Sequence, residues 1–299
     1  MKKMSRREFA AATALSFGGV SRLRGAVQSF RVGHATTTHL HYKKETASFW
    51  KGVEDLSSLG FRGTEADDMI AHLSDVYRDK TGEFRQRMTK HNMTLPALYH
   101  TLPEDFLARD RKALMAHLMQ VGKFIKDVGG AIFNLSGPDP VPKGDRREQI
   151  RGICRVGNEL GPRLRDELGL RVGYHPESES VFEGRDDISL LMDGAKPDVF
   201  HLDPDVGHLT ALGCDPLEVL KTYRSRLLHM HAKDYDPRQK RFVRLGQGVV
   251  QFPAIVEFLN SANYTGWFMI ELDPPVTTPL EDSKANHTYV TRTLKLSLA

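Results

Sequence analysis

Cysteine is scarce in this 299-residue chain: there are two, Cys154 and Cys214, and no CxxC spacing. That excludes a disulfide framework and a structural zinc knuckle. Long hydrophobic runs are also missing. No stretch reaches the roughly 18 apolar residues that a membrane-spanning helix needs. Apolar residues at 40% and charged residues at 27% are ordinary globular values, which excludes wholesale disorder. No Pro/Ser-rich linker divides the chain, and its length admits one large domain.

Net positive charge is missing from most of the chain as well. The formal charge is +4, yet residues 1–29 carry six cations (Lys2, Lys3, Arg6, Arg7, Arg22 and Arg24) against Glu8 alone. The remainder holds 36 basic and 37 acidic residues. A body this close to neutrality has no general electrostatic attraction for a phosphate backbone, so nucleic acid is not the expected partner. The basic segment reads Ser-Arg-Arg-Glu-Phe over residues 5–9, followed by a weakly apolar run from Ala10 to Val20. It resembles a twin-arginine export signal. That resemblance implies the export machinery as a partner and a periplasmic destination, with a cytoplasmic protein as the alternative. Residues 1–29 are read as this leader and 30–299 as one domain.

Within the body a short β-rich run is repeatedly followed by a longer amphipathic stretch. Strands are predicted at Phe30–Gly33, Gly60–Glu65, Thr94–Tyr99, Ala131–Leu135, Arg171–His175, Val199–Asp203, Leu227–His231 and Trp267–Glu271. They recur at about the length of one strand-helix unit. Helical patterns lie between them at 107–128, 147–168 and 252–259. Eight such units predict an α/β fold, a closed (β/α)₈ TIM barrel. An open doubly wound sheet usually has a Gly-rich turn after its first strand, and Val32-Gly33-His34-Ala35 is not one.

Active sites of such barrels lie at the C-terminal ends of the strands. The predicted strands end in Glu65, His100, Asn134, His175 with Glu177, Asp203 with Asp205 and His208, His231 with Lys233, and Glu271 with Asp273. Barrel closure gathers these ends at one mouth, where several carboxylates would repel one another. A divalent cation removes that conflict. A mixed carboxylate and imidazole set with open positions suits Mn²⁺, Mg²⁺, Co²⁺ or Zn²⁺. Trp267 and Tyr264 are expected to pack barrel against helix.

The run HLDPDVGHLTALGCDP (201–216) resembles the D-x-G-H…G-x-D-P segment of the xylose isomerase-like barrel superfamily. RLLHMHAKD (226–234) resembles its R-x-x-x-x-H-x-K-D strand. GQGVVQFPAIVEFLNSANYTGWFMIELD (246–273) resembles its segment ending in glutamate, and GFRGTE (60–65) its second strand. The superfamily contains sugar isomerases and epimerases, inosose dehydratases and endonuclease IV. The resemblance implies Asp205, His231 and Glu271 as metal ligands, with Glu271 also an acid or base, and His208 as a substrate contact. On strand five, Gly173 and His175 stand where many members have their remaining glutamate ligand. His175 and Glu177 share a face by strand alternation, so either can reach the metal. Glu177 is favoured as the ligand and as one member of the acid/base pair, and His175 as a catalytic, substrate or metal contact. Lys233, Glu65 and His100 complete the expected substrate-binding set, with a salt bridge as the alternative role for Lys233.

The chemistry this implies is metal-assisted proton abstraction next to a carbonyl, on a carbohydrate or cyclitol. Returning the proton gives an isomerase or epimerase, the leading expectation. Expelling a hydroxyl gives a dehydratase or lyase from the same residues. An endonuclease IV-like phosphodiesterase needs extra ligands, for which His72, His91 and His100 are candidates. A non-catalytic sugar-binding protein is the remaining alternative, and a homo-oligomer is compatible with any of these.

Overall fold

Parallel strands form where the sequence carries its short β-rich runs, in a computed structural model that describes residues 28–139 and 143–298. The expected leader lies outside the described residues except for Gln28 and Ser29. The barrel strands are β1 (Arg31–His34), β2 (Ala97–Pro103), β3 (Ile132–Asp139), β4 (Arg171–Tyr174), β5 (His201–Leu202), β6 (Met230–Ala232) and β9 (Trp267–Ile270). Between β6 and β9, strands β7 (Asp234–Asp236) and β8 (Arg241–Val243) form an antiparallel hairpin that the sequence reading did not foresee.

One parallel sheet runs β1–β9–β6 and another β2–β3–β4–β5. Isolated bridges join them into a ring. Leu202 pairs with Leu227 and Asp205 with His231 on one side. On the other side the predicted second strand, Gly60–Glu65, is not a continuous strand. It contributes a single bridge from Gly63 to Thr94, Asp67 just beyond it bridges Tyr99, and the carbonyls of Gly63 and Glu65 accept from His34 N and Thr36 N. Eight staves thus close, as in a (β/α)₈ barrel.

Helices surround the ring. The longest, Arg111–Asp127 and Arg146–Arg163, start where Asp110 and Asp145 cap free backbone N–H groups. Leu114, Leu118, Val121 and Ile125 recur at helical spacing and are buried. The main core lies between this helical layer and the outer faces of the strands. A second, small cluster of Ala35, Ala97, Ile132, Leu228, Trp267 and Met269 comes from several staves and plugs the barrel interior. Trp267 therefore packs inside the barrel, whereas Tyr264 belongs to the main core and donates its hydroxyl to the Trp267 carbonyl. Because side chains alternate along a strand, Glu271 emerges above Met269 and Trp267 on the same inward face. Among the described residues no helix is long and apolar enough to cross a membrane.

Candidate metal and active site

Asp205 lies three residues beyond the end of β5 and caps the short helix Val206–Ala211. Its Oδ1 accepts the backbone N–H groups of Gly207 (2.7 Å) and His208 (2.9 Å). Its Oδ2 is buried and has no hydrogen-bond partner. That oxygen lies 3.9 Å from His231 Nδ1 and 3.9 Å from His175 Nε2. His231 Nδ1 is in turn 2.6 Å from Glu271 Oε2. Asp205, His231, Glu271 and His175 can each offer one ligand atom such that all four lie within 4.8 Å of one another, and all four residues are buried. An orphaned carboxylate oxygen among imidazole and carboxylate donors fits a divalent cation.

The glycine of the Asp-x-Gly-His motif has a steric reason. A Cβ on Gly207 would lie 2.9 Å from Cβ and Cγ of Lys233. Its absence lets the lysine stem pass into the mouth. There Lys233 Nζ sits 2.5 Å from Asp273 Oδ1, 3.4 Å from Glu271 Oε2 and 3.2 Å from His208 Nε2. The other nitrogen of His208 accepts from Ser178 N (3.1 Å). Asp234, the last residue of the His-x-Lys-Asp motif, accepts four backbone N–H groups, those of Tyr235, Gly246, Gly248 and Val250. A Cβ on Gly248 would lie 2.2 Å from Asp234 Oδ1, so the Gly-x-Gly motif exists to let this carboxylate hold its loop. The hairpin anchored in this way places Phe242 over Lys233 Nζ (4.6 Å) and against the His208 ring (4.6 Å).

Glu177 is not part of the group of four. It converges instead with His175 and His208, and the Tyr99 hydroxyl donates to its Oε1 at 2.7 Å. Of the two residues weighed on the fifth predicted strand, His175 is the one whose nitrogen meets Asp205 and His231.

Two expected substrate contacts do not reach the mouth. Both oxygens of Glu65 are consumed inside the barrel, by Asn134, His229 and His231, beneath the group of four. His100 follows Tyr99 on β2 and so faces the other way, out of the barrel. It is buried between Asp68 (3.3 Å) and His117 (3.2 Å). Neither His72, His91 nor His100 joins a group of converging ligands among the described residues. Sequence reasoning missed Phe242, Tyr99 and His41, whose Nε2 lies 3.4 Å from Asp273. The only signal for the hairpin was a pair of aromatics, Tyr235 and Phe242, flanking a polar turn.

Electrostatics separates the carboxyls. Burial pushes Glu177 up to about 8, only partly offset by the Tyr99 hydrogen bond. Burial also pushes Asp205 up to about 7, against the attraction of Lys233. Glu271 goes the other way: although burial opposes it, Lys233 and His231 hold its carboxyl well below the usual range. His175 and His208 are driven well below the usual imidazole range by burial, helped by His231 and by Lys233 respectively.

The model of the xylose isomerase-like TIM barrel family matches residues 53–289. The chain belongs to that family. An inosose dehydratase 2 from Bacillus cereus is 31% identical over 267 residues, covering 78% of this chain and 86% of the relative. An inosose dehydratase from Clostridium botulinum is 24% identical over 272 residues, covering 81% and 89%. Solved structures of the same fold include D-psicose 3-epimerase in the presence of D-fructose (TM-score 0.69, 14% identity, 88% of this chain and 99% of that one). Another is the IOLI protein with a bound zinc atom (TM-score 0.68, 17% identity, 90% and 100%). The sequence relatives named here are thus inosose dehydratases, and an epimerase shares the fold.

Proposed function

We propose that this protein is a divalent-metal-dependent dehydratase of a keto-cyclitol or keto-sugar. The observation that carries the reading is the convergence of Asp205, His231, Glu271 and His175 at the strand ends, with Asp205 Oδ2 left unpartnered. These four residues would hold the cation. Four protein ligands would leave room at a six-coordinate cation for a bidentate substrate. When bound, the cation supplies Lewis-acid stabilisation of charge on the substrate carbonyl and its neighbouring oxygen.

The protein's own groups do the rest. Glu271, held ionised by Lys233 and His231, takes the proton from the carbon next to the carbonyl. Glu177, pushed up to about 8 by burial, keeps its proton at neutral pH and delivers it to the departing β-hydroxyl. The C–H and C–O bonds break, a C=C bond forms, one water leaves, and no redox partner is needed. A proton passing from Glu271 to Glu177 through solvent resets the pair. Two carboxyls with their affinities for protons driven apart are suited to this division of base and acid. Lys233 and His208, beside this group, would bind substrate oxygens. Dehydration is preferred over epimerisation because the curated relatives named above are inosose dehydratases.

Incubation of metal-loaded protein with inososes and ketohexoses in D₂O tests the reading. A product lighter by one water is expected, and Glu177→Gln should slow its formation by about 10²–10⁴ with metal retained. Deuterium entering recovered sugar without loss of water would instead assign an epimerase. No turnover and no exchange across the panel would overturn both.

A further inference from the structure

Beneath the group of four lies a buried polar layer where a barrel interior is ordinarily filled with branched apolar side chains. Glu65 is fully buried and meets three side chains from two other staves. Its Oε1 accepts from Asn134 Nδ2 on β3 at 2.9 Å. Its Oε2 lies 2.6 Å from His231 Nε2 and 2.8 Å from His229 Nε2. A buried carboxylate is costly unless its partners are fixed. Substrate does not reach it, since the His231 ring separates it from the mouth.

We propose that Glu65 is a positioning residue that selects the tautomer of His231 and so makes Nδ1 the metal-facing nitrogen. The inference rests on the metal reading given above. An ionised carboxylate only accepts, so both imidazoles that touch it must carry hydrogen on Nε2. For His231 that keeps the Nε2 hydrogen in place, so Nδ1, which faces Glu271 Oε2 at 2.6 Å and Asp205 Oδ2 at 3.9 Å, is the nitrogen that gives up its hydrogen to a cation. Without Glu65 the ring is free to place its hydrogen on Nδ1 or to turn, and either removes a ligand. Asn134 and His229 hold Glu65 as Glu65 holds His231, which accounts for polar residues at three interior positions. Outer partners of this kind typically change metal affinity by about 10–100-fold when altered.

Glu65→Gln is the informative change, because an amide of the same size must point either its N–H or its oxygen at the two imidazoles. Binding of Zn²⁺ and Co²⁺ to the full chain, measured by calorimetric titration, should be about 10–100-fold weaker in Glu65→Gln. Glu65→Asp, which keeps the charge and retracts it by one methylene, should fall between that variant and wild type. Nitrogen-15 spectra of zinc-loaded wild type should show His231 bound through Nδ1 and protonated on Nε2. The opposite tautomer would overturn the proposal without recourse to any variant. Equal affinity in wild type and both variants would overturn it while leaving the metal centre standing. Failure of wild type to bind either metal would remove the metal reading itself.

Discussion

Replacing Asp205 by asparagine should separate the site from the fold. Oδ1 caps the helix Val206–Ala211 through Gly207 and His208, and asparagine caps about as well as aspartate, so the cap should change by less than about 1 kcal/mol. Oδ2 has no hydrogen-bond partner, and an amide nitrogen in its place brings hydrogens where a lone pair is needed. The metal-free proteins should differ in an unintuitive direction. Burial raises Asp205 to about 7, so the folded state binds this proton more tightly than the unfolded chain. The stability that follows is present at low pH and is lost as pH rises through about 7. At pH 8 the metal-free Asp205→Asn protein should therefore be the more stable, by on the order of 2–4 kcal/mol. Metal should work against that ranking. At a hundred times Kd, binding stabilises wild type by about 2.7 kcal/mol. For a domain of this size that raises Tm by about 5–10 °C. Asp205→Asn should show no such rise. Thermal melts at pH 8, with chelator and with Zn²⁺ or Mn²⁺, read both effects. A metal-dependent shift in Asp205→Asn equal to that of wild type would refute the reasoning.

His34 tests burial away from the site. Desolvation lowers its imidazole from 6.5 to about 4, so the unfolded state takes up the proton first as pH falls. Stability is full above 6.5 and declines towards 4, by up to about 3 kcal/mol, and His34→Gln should flatten that part of the urea-unfolding profile. Asp234→Ala leaves four backbone N–H groups without their acceptor and should cost at least about 2 kcal/mol in the same assay. A change within 0.5 kcal/mol, the ordinary range for surface substitutions, would mean that the loop does not depend on this anchor. For the leader, we propose export by the twin-arginine route: Arg6→Lys with Arg7→Lys should leave the protein in the cytoplasm on cell fractionation, and unchanged export would dismiss that route.

The inward face of each stave was legible because alternation is a local property. Glu271 follows Trp267 and Met269, and Asp205 follows Asp203, by steps of two. Depth was not legible. Glu65 has the right parity but stands lower in the barrel than its place at the end of a predicted strand implied, because its segment is tied to β1 and β2 only by scattered bonds. The same limit is why the sequence favoured Glu177 over His175 as the ligand, whereas His175 joins the group of four: both face inward, and only their heights differ. His100 was a parity error, since its neighbour Tyr99 is the inward residue. Strand β5 is two residues long because Pro204 has no N–H to donate and Asp205 already caps a helix. The hairpin β7–β8 escaped because its strands are three residues each, too short for alternation to stand out.

Anomalous diffraction from crystals grown with Zn²⁺ or Co²⁺ tests the central claim most directly. A single peak is expected between Asp205 Oδ2, His231 Nδ1, Glu271 Oε2 and His175 Nε2, at about 2.0–2.2 Å from each ligand atom for zinc. A site lacking any peak there, or one in which the ion is held by Glu177 and His208 or by Glu65 and His229, would contradict it.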